Sequence, residues 1–168
     1  MTFLIWVEQT ALSVWVRESP TLWAFPFILF LHTLGLALVA GIGVALNAWI
    51  LTLGPRYPIA PLRPLFPVMW AGFTINLVSG LLLLAAYPAK ALTNPVFYVK
   101  LVLVALAVAE LEWVRKVAFE KAEPRAAFRP SAAITALAAA SFLLWGVAVV
   151  TGRLLAYTHS ILMASEGF

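Results

Sequence analysis

Four long apolar runs, separated by prolines, glycines and charges, organise this chain. Each approaches or exceeds the roughly 20 apolar residues that a helix needs to cross a bilayer. The first is expected over 20–53. Ser19 and Pro20 read as an N-cap followed by a proline in the first turn, Pro26 either kinks the run or marks its true start, and Gly54-Pro55 ends it. The linker GPRYPIAPLRPLFP carries five prolines and cannot be helical throughout. A second span is expected over 67–87, ending at YPAKALTNP, and Asn94-Pro95 opens a third over 95–118, apolar to Ala109 and charged from Glu110 onward. After the loop KAEPRAAFRPS a fourth is expected over 131–157.

The first twenty residues follow a different pattern. Leu4, Val7, Ala11, Leu12 and Trp15 share one side of a helical wheel and Gln9, Ser13 and Arg17 the other, with Trp6 on the polar side. That pattern predicts an amphipathic helix over 2–17 lying in the membrane interface. A cleavable signal peptide is not expected, because the stretch has no basic start, carries Glu8 in its apolar run and lacks a small-residue cleavage site. The expected fold class is all-α: one transmembrane domain over 1–168, an integral membrane four-helix bundle with an N-terminal interfacial helix.

Composition agrees with the pattern. The chain is 64% hydrophobic and 11% charged, with a mean hydropathy of +1.00, whereas a soluble domain carries about 25% charged residues. The first partner is therefore the lipid bilayer. The net charge of +4 comes without a basic tract interleaved with aromatics, so no nucleic acid is expected. Cysteine is absent, which excludes disulfides, iron–sulfur clusters and thiolate metal sites. The basic residues orient the bundle instead. Arg56, Arg63, Arg115, Lys116, Lys121, Arg125 and Arg129 fall on one side, and only Arg17, Lys90, Lys100 and Arg153 on the other. The richer side is expected in the cytoplasm, with both termini outside.

Candidate chemistry centres on His32, an imidazole inside the first span. Ionisable groups at such depth are costly and mark function or a protein-facing surface. Gly35, Val39 and Gly43 follow at +3, +7 and +11, so small residues form a stripe beside the ring. Two readings stay open: close helix packing with His32 bonded across the bundle, or a haem iron ligand with the glycines leaving room for a flat macrocycle and the second ring nitrogen held by an acceptor. Lys100 and Arg153 read singly as cations snorkelling to the interface. Together they would reach the depth of the propionates of a haem on His32. His159, the other histidine, reads as a surface residue or as a second axial ligand if the C-terminus folds inward. Glu112 is spaced to pair with Lys116, Glu110 reads as an interface charge or a proton carrier, and Asn47, Asn76 and Ser79 as bonds between helices or as contacts to a pigment or quinone. No phosphate loop, zincin motif or nucleophile elbow is present.

The segments FLHTLGLALVAGIGV and NPVFYVKLVLVALAVAELEW resemble a superfamily of small bacterial haem-associated membrane proteins. It includes the four-helix protoporphyrinogen oxidases and the copper-resistance D-like domains. The resemblance implies haem b as cofactor, His32 as its ligand, Lys100 as an essential lysine and a bacterial inner membrane as location. The chain departs from the oxidases at LNAWILTLGPR, where they carry a Leu-Pro-Arg segment and a further histidine, and at Glu110 and Glu112, where they tend to carry histidine. Protoporphyrinogen oxidation is therefore not expected. The functional expectation is a haem b-binding electron-transfer protein near the outer face, a membrane haem oxidoreductase if it is an enzyme. The alternative is a cofactor-free accessory subunit of a larger membrane complex or homo-oligomer. The cofactor-binding set of the haem reading is His32, Gly35, Gly43, Lys100, Arg153 and His159, with iron on His32 and, secondarily, His159.

Overall fold

The computed structural model describes residues 2–54, 56–119 and 126–165, with residues 2–3 and 153–165 as backbone alone. Among them the regular structure is helical: α1 (Thr2–Glu8), α2 (Ala11–Glu18), α3 (Phe25–Thr52), α4 (Leu65–Ala86), α5 (Pro88–Leu92), α6 (Pro95–Val114) and α7 (Ala132–Ser165). A 3-10 turn, Ala60–Leu62, interrupts the proline-rich linker, and a π-helical turn, Arg115–Phe119, continues α6.

Prolines and caps set the helix starts. Pro26 lies at the second position of α3, so the helix begins at Phe25 and the residues from Ser19 to Ala24 form a turn that leads into it. Asn94 caps α6, its side-chain oxygen accepting from the Val96 amide at 2.9 Å, and Pro95 follows where a missing N–H costs nothing.

The N-terminal stretch forms two helices rather than one. The chain breaks at Gln9-Thr10, and the Thr10 hydroxyl accepts from the Ser13 amide to start α2. Two residues of the polar stripe, Ser13 and Arg17, also turn inward, while Gln9 stays exposed. Ser13 donates to Ala85 O at 2.7 Å and Arg17 to Ala86 O at 3.2 Å, covering carbonyls that the end of α4 leaves without intrahelical donors. Ile5, Trp6, Leu12 and Trp15 are left exposed.

Among the described residues three segments are long and apolar enough to cross a membrane: Phe25–Thr52, Ala60–Ala86 and Ala132–Gly152. Only 22%, 17% and 28% of their apolar windows are buried, so most of that surface faces outward and needs a non-aqueous solvent. The chain is a helical membrane protein. The fourth long helix, α6, carries Lys100, Glu110 and Glu112 within its 20 residues.

The helices pack in the order α4–α3–α7–α6. Gly35 and Gly72 bring α3 against α4. A Cβ on Gly35 would lie 2.6 Å from both Asn76 N and Gly72 O, so only glycine permits this approach. The main core gathers Val39, Leu46 and Ile50 of α3, Phe66 and Met69 of α4, Leu111 and Val114 of α6, and Trp145 of α7. A smaller cluster of Val16, Ile28 and Ala86 closes the end where α3 begins. His32 lies between the two.

Candidate functional site: a histidine–lysine pair

The His32 ring is seated on one face of α4. Asn76, Ser79 and Gly80 follow the i, i+3, i+4 spacing that places side chains together on a helix. His32 Nδ1 lies 3.0 Å from the backbone oxygen of Asn76 and 3.3 Å from Ser79 Oγ. The Asn76 amide donates back to the His32 carbonyl at 2.7 Å, which locks the two helices at this level. Gly80 makes the seat flat, since a Cβ there would come within 3.0 Å of His32 Cε1.

These contacts fix the ring's chemistry. Nδ1 also lies 3.3 Å from Asn76 Nδ2, but its shortest contact is to a carbonyl, which only accepts, so the proton is assigned to Nδ1 and the lone pair to Nε2. Nε2 faces Lys100 Nζ at 3.3 Å, and Nζ donates. Lys100 reaches it from α6 past Gly152 of α7, where its Cε passes 3.7 Å from the position of a Cβ. Both side chains are partly buried. All four long helices thus meet at one polar junction.

The residues predicted from sequence divide at this point. His32 and Lys100 come together, joined by Asn76 and Ser79, which sequence reasoning had placed only as bonds between unspecified helices. Gly80 had not been singled out; its signal is its place one turn after Asn76, on the same helix face. The nearest neighbours of Gly35 and Gly43 lie on other helices. Gly35 serves the α3–α4 contact, and a Cβ on Gly43 would meet the Trp145 indole at 2.7 Å and Leu111 at 3.1 Å. The side chains of Arg153 and His159 lie outside the described residues.

A haem on His32 can be tested against this geometry. The donor is suitable: Nδ1 bonded to a carbonyl is the usual support for an imidazole ligating through Nε2. The space is not. The glycine faces expected to receive the macrocycle are filled by the α4 backbone and Trp145, and Lys100 lies on the nitrogen that iron would need. As packed, the residues do not fit a haem. Among the described residues no group of three or more His, Asp or Glu side chains is placed to hold a metal ion.

A second polar group lies further along the bundle. Asn47 Nδ2 donates to Ser141 Oγ at 2.8 Å, and Ser141 donates to Glu110 Oε2 at 3.0 Å, linking α3, α7 and α6. Glu112 pairs with Arg115 at 2.8 Å rather than with Lys116, and accepts from Trp70 Nε1 at 3.0 Å.

No protein family, curated protein or solved structure matches this chain.

Proposed function

We propose that this chain is a four-span protein of a bacterial inner membrane whose His32–Lys100 pair takes up and passes on protons near the outer face. The observation that carries the reading is the 3.3 Å contact of Lys100 Nζ with His32 Nε2 inside the helical bundle. Intramembrane ionisable groups paired with one another are the usual parts of proton pathways.

The architecture supports it. At 1.5 Å per residue α6 is about 30 Å long, enough to cross, and Lys100 and Glu110 turn to neighbouring helices rather than to lipid. The excess of lysine and arginine in the 54–64 and 115–130 segments supports a cytoplasmic position for that side. His32 then lies in the outer half. The exposed apolar residues of α1 and α2, two of them tryptophans, suit an outer interface.

The chemistry needs the pair and water. Nζ donates a proton to Nε2, Nζ is left with a lone pair, and the imidazolium keeps its Nδ1–H on Asn76 O. A proton from water on the outer side restores the ammonium at Nζ, and once that side chain swings off the ring the Nε2 proton passes to a second water, which returns His32 to its starting tautomer.

Purified protein in liposomes enclosing a pH-sensitive dye provides the test. Proton flux should fall about a hundredfold in H32A and in K100M, the scale expected when a positioned proton-transfer group is removed. Equal flux in wild type and both variants would overturn the proposal. So would a Soret band, after expression with haem supplied, that disappears in H32A: that result would return His32 to iron and the chain to haem b-dependent electron transfer.

A further inference from the structure

Glu110 is a buried carboxyl in a site unrelated to His32. Its residue is 7% exposed, Ser141 is 1% and Asn47 0%. By helix rise, Asn47 is fifteen residues and about 22 Å beyond His32 along α3, and the buried Val39, Ala107 and Trp145 belong to the core between the two levels. The Glu110 cluster therefore stands independently of the His32–Lys100 reading.

Its hydrogen bonds are one proton short. Asn47 Nδ2 donates to Ser141 Oγ, and the Ser141 hydroxyl proton goes to Glu110 Oε2. Asn47 Oδ1 and Glu110 Oε1 are buried without a partner, as is Trp145 Nε1 one turn from Ser141. An ionised carboxylate only accepts and the Ser141 hydroxyl proton is already committed to Oε2, so neither Glu110 nor Ser141 would then offer Asn47 Oδ1 a donor in the dry interior. An unpaired buried polar atom is costly, and an unpaired buried charge more so. The Asn47 amide lies beside the carboxyl.

We infer that Glu110 is a proton-binding site, holding a neutral carboxylic acid whose Oε1–H donates to Asn47 Oδ1. One bound proton then gives both orphaned oxygens a partner and closes a ring of three bonds, Asn47 to Ser141 to Glu110 to Asn47, across α3, α7 and α6. Among the described residues no charged side chain is hydrogen-bonded to Glu110. From α3 the facing polar group is Asn47, and from α7 Ser141 and Trp145. On α6 itself Glu112 is taken by Trp70 of α4 and by Arg115, and Lys100 lies ten residues away. The ligand is the proton itself, stored in the half of the bundle nearer Arg63 and Arg115.

Infrared spectroscopy of the full chain in liposomes at neutral pH tests this. The wild type should show the carbonyl stretch of a neutral carboxylic acid, shifted in heavy water and missing in E110Q. The same band should persist in H32A, which separates this site from the proton-transfer proposal. S141A removes one hydrogen-bond donor to the acid and should move the band to higher frequency, so it asks the same question if E110Q does not assemble. Wild-type and E110Q spectra identical in this region, or a band that S141A leaves unmoved, would overturn the assignment.

Discussion

Lys100 Nζ lies 3.3 Å from His32 Nε2, and this hydrogen bond ties α6 to α3 near the end of the bundle where α3 begins. Replacing the lysine by methionine keeps a stem of similar length beside Gly152 and removes the donor. Polar bonds between membrane helices are worth about 0.6 kcal/mol on average and at most about 1.7. K100M should therefore unfold in mixed detergent within about 2 kcal/mol of wild type. Its histidine nitrogen resonances should change far more. In labelled protein Nδ1 should stay protonated, because Asn76 O remains, while Nε2 moves. An Nε2 signal unaltered by K100M would show that the pair does not exist in the membrane.

Gly35 and Gly72 make a different prediction. A methyl group on Gly35 meets backbone atoms of α4 at 2.6 Å, and one on Gly72 meets Leu38 Cβ at the same distance. Backbone cannot yield as a side chain can, so G35A and G72A should each cost about 1–3 kcal/mol, the usual scale of overpacking. Gly41 and Gly146 have nothing within 4 Å of a Cβ. G41A and G146A should be neutral or stabilising by up to about 1 kcal/mol through helix propensity. Unfolding of the four variants in parallel decides whether α3 and α4 touch as described.

Gly80 acts on the site rather than on the packing. A Cβ there comes 3.0 Å from His32 Cε1 and 3.3 Å from Nδ1, close enough to push a movable ring off the Asn76 carbonyl. G80A should leave the protein folded yet reduce proton flux towards the level of H32A. Unchanged flux in G80A would mean that the seat on α4 does not orient the imidazole.

The contact of α2 with the end of α4 can be tested at Ser13 and Arg17. Ser13 donates to Ala85 O and lies within reach of Val7 O at 2.8 Å; Arg17 donates to Ala86 O and Glu8 O. Buried hydrogen bonds contribute about 1 kcal/mol each, so S13A combined with R17A should release α1 and α2 at a cost of about 2 kcal/mol. Proteolysis near Gln9 should then accelerate while the α3–α7 core resists. Equal cleavage of wild type and double variant would contradict this docking.

Much of the architecture was legible without coordinates. Apolar runs of spanning length and the near absence of charge within them leave no fold but helices in lipid, because a backbone out of water must satisfy its own hydrogen bonds. Asn94-Pro95 likewise carries the start of α6 in its own chemistry. Local sequence also marked His32 and Lys100 as costly groups needing a partner. What it did not contain was the partner. Whether a glycine stripe admits a macrocycle, an indole or another backbone depends on which helix lies opposite, and here α4 and Trp145 fill that space. The polar stripe of α2 was equally legible as a pattern, but only packing against α4 turned it from water to the carbonyls of Ala85 and Ala86. Sequence determined the helices and the residues that demand explanation, because those follow from composition and period along one chain. The tertiary structure decided their use, because a hydrogen bond such as Lys100 to His32 spans 68 residues and exists only once α3, α4, α6 and α7 converge.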